Sequence, residues 1–244
     1  MKKPAIILVE PQLAENIGMV ARAMANFGLT ELRLVAPRNG WPKKGAHQAA
    51  SGATHILEAA TLFPDVRAAI ADLSYVFATT ARERGQMKRV FGPDEAMGEA
   101  AGRLAGGQRL GILFGRERTG LENDEVSLAD AIITFPVDPR FSSLNLAQAV
   151  LLVSYEWHKR ETGGALPFTG ELRSPPASRE MLNSFFDFIE GALDAAEYFP
   201  EGKRPGMVHN LRDIFQRLEL TEQEVRSLRG ALRAIGDGPR ARKA

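Results

Sequence analysis

The chain reads as an α/β protein with a parallel sheet, followed by a small all-α C-terminal extension. Three observations predict this. Strand-like and helix-like segments alternate through the first 160 residues, the order expected of a sheet covered by helices. The strand-like runs are apolar throughout, as in strands buried on both faces. A stretch rich in Gly and Pro then separates this part from three amphipathic helical patterns.

Ala5-Ile6-Ile7-Leu8-Val9 is the first strand. Asn16 is placed to cap a helix that ends near Gly28, a suitable residue just past a helix end. Glu31 to Val35 reads as the second strand, stopped by Pro37, and a weaker one follows at His55-Ile56-Leu57. Tyr75–Thr79, Arg109–Phe114 and Ala131–Phe135 are further strands, and Leu144 to Arg160 is a long helix. These segments make residues 1–161 one domain. Residues 162–176, from Gly163-Gly164 to Pro175-Pro176, read as a linker.

Residues 177–237 carry three apolar stripes: Leu182, Phe185, Phe186, Ile189 and Leu193; Val208, Leu211, Phe215 and Leu218; and Val225, Leu228, Leu232 and Ile235. The last follows Thr221-Glu222-Gln223-Glu224, which has capping-box spacing. Arg226, Arg229 and Arg233 repeat one residue out of phase with it, so one edge of that helix is basic. Residues 238–244 read as a disordered tail.

Composition sets outer bounds. With 244 residues, 44% apolar and 25% charged, the chain has room for one or two ordinary domains. No apolar run reaches the 18 residues of a membrane span, and the N-terminal apolar run is too short for a signal peptide. Cysteine is absent, which excludes disulfide and thiolate chemistry, and a cytoplasmic location is the simplest expectation. The net charge of +1 conceals ten basic against five acidic residues between Lys203 and Ala244. That excess suits a nucleic-acid footprint or, equally, a solvated helical face with a basic tail.

Ligands of open α/β sheets sit beyond the carboxyl ends of the strands. Three loops qualify: Thr79-Thr80-Ala81-Arg82, Gly115 to Gly120, and Phe135 to Ser143. No Gly-Lys-Ser/Thr follows Gly115, and no strand leads into Gly-x-Gly-x-x-Gly, so a phosphate loop and a dinucleotide site are disfavoured. His47, His55, His158 and His209 lack metal-ligand spacing, and no metal is expected. Alternative structural readings stay open at each loop. Gly115 and Gly120 also fit a tight turn, Ser142 and Ser143 an N-cap before Leu144, and Arg22 a side chain snorkelling from an apolar helix.

In combination, Asn16-x-Gly18-x-x-x-Arg22, Gly115-x-Glu117-x-x-Gly120 and Ser143-Leu144-Asn145 resemble the SPOUT class of RNA methyltransferases, in the branch that methylates ribose 2′-hydroxyls. The resemblance runs from Ile6 to about Ile235 and is nearest to enzymes acting on cytidine or uridine 32 of the tRNA anticodon loop. It implies a parallel sheet with a C-terminal trefoil knot. It also implies a homodimer with the Asn16–Phe27 and Leu144–Arg160 helices near the interface, and S-adenosyl-L-methionine as methyl donor, leaving as S-adenosyl-L-homocysteine. The implied cofactor contacts are Thr79, Thr80, Ala81, Gly115, Phe135, Ser142, Ser143 and Leu144. Arg22, Ser143 and Asn145 take the catalytic roles. Asn16, Arg82, Arg84, Glu117, Arg226, Arg229 and Arg233 are the candidates for holding tRNA. Three other readings remain: the same chemistry on another RNA, such as rRNA or another tRNA position; a non-catalytic RNA-binding protein on the same fold; and a nucleotide-dependent α/β enzyme of unrelated chemistry, against which the missing phosphate loop and dinucleotide fingerprint argue. Arg22 poses a chemical difficulty, because an arginine pKa of about 12.5 or more leaves little neutral base. Holding a phosphate or a developing oxyanion suits it better.

Overall fold

The computed structural model describes residues 3–38, 40–83, 87–168, 170 and 174–236. It divides into two compact units, residues 1–166 and 167–244.

The first unit runs β1 (Ala5–Val9), α1 (Ala14–Asn26), β2 (Leu32–Val35), α2 (Ala46–Ala50), α3 (Thr54–Glu58), β3 (Thr61–Phe63) and α4 (Val66–Ile70). It continues through β4 (Tyr75–Thr79), β5 (Arg89–Phe91), α5 (Pro93–Ala105), β6 (Leu110–Phe114), α6 (Asn123–Ser127), β7 (Ala131–Ile133) and α7 (Leu146–Glu161). The seven strands form one sheet in the order β3-β2-β1-β6-β4-β7-β5, and every described pairing is parallel. β1 shows why its sequence is apolar without interruption. Ile6 and Leu8 enter one core with α1, α5 and α7, while Ala5, Ile7 and Val9 enter a second core on the opposite face.

Chain order and space order disagree at one edge. β7 lies between β4 and β5, which are already connected earlier in the chain. Sequence periodicity carries no trace of this order, because which strands become neighbours leaves local patterns unchanged.

Several expectations are corrected. His55-Ile56-Leu57 is helical, because Ala53, Ile56 and Leu57 are the buried positions and that spacing is one helix face. β3 and β5 escape sequence reading because each is a three-residue edge strand with two exposed positions. α1 begins at Ala14, so Asn16 lies in its first turn; the capping position, Leu13, has no side-chain cap. The N-cap of α7 is Asn145, whose Oδ1 accepts from the Ala147 and Gln148 amides, rather than Ser142 or Ser143. Phe135 lies beyond the end of β7.

The second unit holds α8 (Arg179–Ala195), α9 (Arg204–Arg217) and α10 (Glu222–Gly236). Leu182, Phe185, Phe186, Ile189, Leu220 and Val225 form its core. The Thr221–Glu224 capping box forms, with the carboxylate accepting from the Thr221 amide and hydroxyl at 2.7 Å each. The stripe ends stay out of the core, since Leu218 is 58% and Ile235 78% exposed.

Candidate active site

Register brings the ends of β4, β6 and β7 level: Ala78 pairs with Leu113, and Thr79 with Ile133. The three following loops consequently meet. Thr79, Thr80, Ala81, Gly115, Phe135, Ser142, Ser143 and Leu144 all line one cleft, together with Arg82 and Glu117. Phe114, Leu121, Val137, Leu146 and Ala149 complete an apolar wall, and Arg118 and Thr119 border it. Sequence reading gave Arg118 and Thr119 no ligand role, although both stand between the two glycines of a loop it had marked. Val137 offered no chemical signal.

The Gly115–Gly120 loop is closed on itself. The Arg116 amide donates to the Gly120 carbonyl at 3.3 Å, and the Gly120 amide returns to the Arg116 carbonyl at 2.9 Å. A Cβ on Gly115 would stand 2.2 Å from the Gly120 carbonyl carbon, so no larger residue fits this turn. The buried Arg116 side chain anchors the loop from behind. Its Nε and Nη2 donate to Glu10 at 3.0 and 2.6 Å, and its Nη1 and Nη2 donate to Glu125 at 3.0 Å each. The hydrogen bond from Arg116 holds the Glu10 carboxyl below the usual range, against the opposing effect of burial.

Glu117 turns toward α1. Its carboxylate accepts from the Gln12 amide (3.0 and 3.1 Å), the Leu13 amide (3.0 Å) and Asn16 Nδ2 (3.1 Å). It thus supplies from a distant loop the cap that α1 lacks, at the end of the helix where negative charge is favoured. Burial pushes its pKa up, but the hydrogen bonds from Leu13, Asn16 and Gln12 outweigh it, and the net direction is down. Asn16, 3% exposed, passes the connection on, its Oδ1 accepting from Asn145 Nδ2 at 3.1 Å. Asn145 in turn caps α7. One hydrogen-bonded chain, Glu117–Asn16–Asn145, therefore joins the three sequence motifs. It occupies the Glu117 carboxylate and the Asn16 amide with protein partners.

Arg22 stands apart. It is exposed on α1 and opens into a recess lined by Met19, Ala23, Asn26, Asn145, Ala147, Gln148 and Leu151. Leu146 and Ala149, on another side of α7, face the loop cleft instead. Within one chain, Arg22 and the cleft share no lining residue.

Arg82 is exposed at the cleft, its amide held by the Thr80 hydroxyl at 3.1 Å. Arg84 lies outside the described residues. On α10, Arg226 pairs with Glu222 at 2.8 Å. Arg229 donates to Ser184 Oγ at 2.9 Å, and both it and Arg233 lie over the Phe188 ring. The basic edge read from sequence is thus partly spent within the helical unit.

The cleft has polar capacity left over. Among the described residues, the backbone amides of Ala81, Ser143 and Leu144 donate to no protein acceptor. Free amides beside an apolar wall suit a nucleoside with a thioether arm, which needs hydrogen bonds at its heteroatoms and contact elsewhere. Among the described residues, no group of three or more His, Asp or Glu is placed to hold a metal ion. No helix among them is long and apolar enough to cross a membrane.

Comparison with known proteins yields two family matches. Residues 3–155 match the SpoU rRNA Methylase family, and residues 180–244 match the C-terminal domain of the tRNA methyltransferase TrmJ. The crystal structure of TrmJ from Z. mobilis ZM4 is similar with a TM-score of 0.85 and 48% identity, covering 96% of this chain and 99% of that one. The tRNA (cytidine/uridine-2′-O-)-methyltransferase TrmJ of Cronobacter sakazakii is 35% identical over 235 residues, 94% of both chains. The tRNA (cytidine/uridine/adenosine-2′-O-)-methyltransferase TrmJ of Pseudomonas aeruginosa is 32% identical over 235 residues, 93% of this chain and 91% of that one.

Proposed function

The chain belongs to the TrmJ family of SpoU-type methylases, and on that premise we propose that it methylates ribose 2′-hydroxyls of tRNA with S-adenosyl-L-methionine as donor. The observation that carries this reading is the cleft into which Thr79–Ala81, Gly115, Phe135 and Ser142–Leu144 converge, where the Ala81, Ser143 and Leu144 amides donate to no described residue. Those residues hold the donor, which supplies an electrophilic methyl group when bound. The target is nucleotide 32 of the anticodon loop, and the enzyme works in the cytoplasm, where tRNA is abundant.

The chain's own groups orient the acceptor and deal with its proton. A ribose hydroxyl is a weak acid, so catalysis depends on holding its oxygen in line and stabilising the charge it develops. The Ser143 hydroxyl borders the cleft and makes no hydrogen bond to described residues. Asn145 keeps one amide hydrogen after its bond to Asn16. Arg22 makes no ion pair with described residues, so its guanidinium is available for a phosphate or an oxyanion. Asn16 and Glu117, first read as substrate contacts, serve better as positioning residues acting through Asn145.

We further propose that the working form is a homodimer. Leu13, Met19, Leu151, Leu152 and Tyr155 expose apolar surface on α1 and α7, which supports pairing along those helices. Arg22 lies on the same surface, so pairing would bring it toward a neighbouring cleft. The helical unit, residues 177–237, adds basic contacts such as Arg226 and, at the cleft, Arg82 joins it in holding phosphates.

The test is transfer of labelled methyl from S-adenosyl-L-methionine to unmodified tRNA, with the product mapped by digestion and mass spectrometry. A 2′-O-methylpyrimidine at position 32 is expected. Arg22→Ala should bind donor normally and lose turnover. No transfer to tRNA by an enzyme that binds the donor would overturn the assignment of substrate.

A further inference from the structure

The segment between Phe135 and Ser143 contains a small rigid turn that the reading of the cleft leaves unexplained. Pro139, Arg140 and Phe141 form one turn of 3-10 helix capped by Asp138. Asp138 Oδ1 accepts from the Arg140 amide at 2.9 Å, and the Phe141 amide donates to the Asp138 carbonyl at 2.9 Å. The Arg140 side chain folds back on the same carboxylate through Nε at 3.1 Å and Nη2 at 2.7 Å. Proline fixes the entry to the turn and the carboxylate fixes its end.

This construction holds an aromatic ring in water. Phe141 is 80% exposed, and its neighbours Val137 and Ser142 line the cleft. The other exposed ring described in the first unit, Tyr155, is 48% exposed and leans on Phe27 at 5.7 Å. Exposing a phenyl ring forgoes burial, and the Asp138 cap sets the backbone turn that presents it beside the cleft.

We propose that Phe141 is a stacking platform for a nucleobase of the RNA substrate, either the target base or its neighbour, at the lip of the cleft. The inference rests on the proposed RNA substrate and adds a specificity-determining residue to it. To reach the cleft, a target ribose must leave the stack of its loop, and its base then needs a new partner. Aromatic faces fill that role with little regard to base identity, which suits an enzyme that accepts more than one nucleotide. The cleft's other rings are poorly placed for it: Phe114 is buried, and Phe135 is half-buried in the wall. Arg82 and Arg118, which line the cleft beside Ser142, supply positive charge for the adjoining phosphates.

The experiment compares the full-length wild type with Phe141→Leu and Phe141→Trp, using an unmodified tRNA transcript and labelled S-adenosyl-L-methionine. Leucine keeps the apolar bulk and removes the π face. Phe141→Leu is expected to raise KM for tRNA about tenfold, with donor affinity, thermal midpoint and sedimentation unchanged. Phe141→Trp is expected to keep wild-type KM, and its added indole emission should fall when tRNA binds. Equal KM for the wild type and Phe141→Leu would overturn the proposal. So would a change in sedimentation, which would make Phe141 a subunit contact. If the wild type transfers no methyl to tRNA, the proposed substrate falls. The emission change on adding tRNA then still decides whether the ring meets a base.

Discussion

Glu117 is the residue on which the site's internal order depends. Its oxygens meet two backbone amides of the α1 start and the Asn16 side chain, so a charge from one motif organises another. Replacing it by Gln keeps the size but removes the charge and turns one acceptor into a donor facing N–H groups. Glu117→Gln should cost about 1.5–3 kcal/mol in chemical denaturation at neutral pH, the scale for hydrogen bonds to a charged group. The acid dependence should change with it. The folded-state pKa of Glu117 is lowered, so its contribution is complete above the ordinary glutamate value of about 4.3 and is lost as pH falls through the lower folded value. Wild-type stability should therefore drop more steeply below about pH 4.3 than that of Glu117→Gln. Parallel acid curves for the two proteins would remove Glu117 from this role. At this scale the sequence marked Asn16 and Glu117 but not what they bond to. Asn16 and Glu117 were visible as a motif, whereas their partners lie about a hundred positions away and are found only by folding.

At the scale of elements, loops and caps separate function from stability. The Gly115–Gly120 turn is packed so closely that a methyl group on Gly115 would strike its backbone at 2.2 Å. Gly115→Ala should therefore displace the turn and abolish donor binding measured by titration, while the sheet, anchored elsewhere, keeps most of its stability. Thr221→Ala is the contrast. It removes the α10 capping box and should cost about 0.5–2 kcal/mol of helical-unit stability, with donor affinity unchanged. Loss of donor binding in Thr221→Ala, or its retention in Gly115→Ala, would contradict this division. Element types followed from the sequence where burial is two-sided or strongly periodic, as in β1, β4, β6 and α7. They failed at His55–Leu57, where a short apolar run fits either period, and at β3 and β5, where edge strands bury too little to leave a pattern.

At the scale of the molecule, α1 and α7 bury one face in the core and leave another exposed. Met19 is 40% and Leu152 41% exposed on these two helices, next to the recess that holds Arg22. The double change Met19→Glu with Leu152→Glu should yield a monomer by sedimentation and remove methyl transfer, with the fold intact by circular dichroism. A monomeric variant with full activity would show that one chain suffices. The sequence by itself determined the α/β class, the helical extension and the three loops that meet at the cleft. Alternating apolar runs, helix-period stripes and loop glycines are local properties, and a one-dimensional pattern records them. Tertiary structure alone decided the order of strands, with β7 placed between β4 and β5, and the joining of Glu117, Asn16 and Asn145 into one chain. Those are matters of which distant segments meet, settled by packing and by the need of buried polar groups for partners, and no local pattern encodes them.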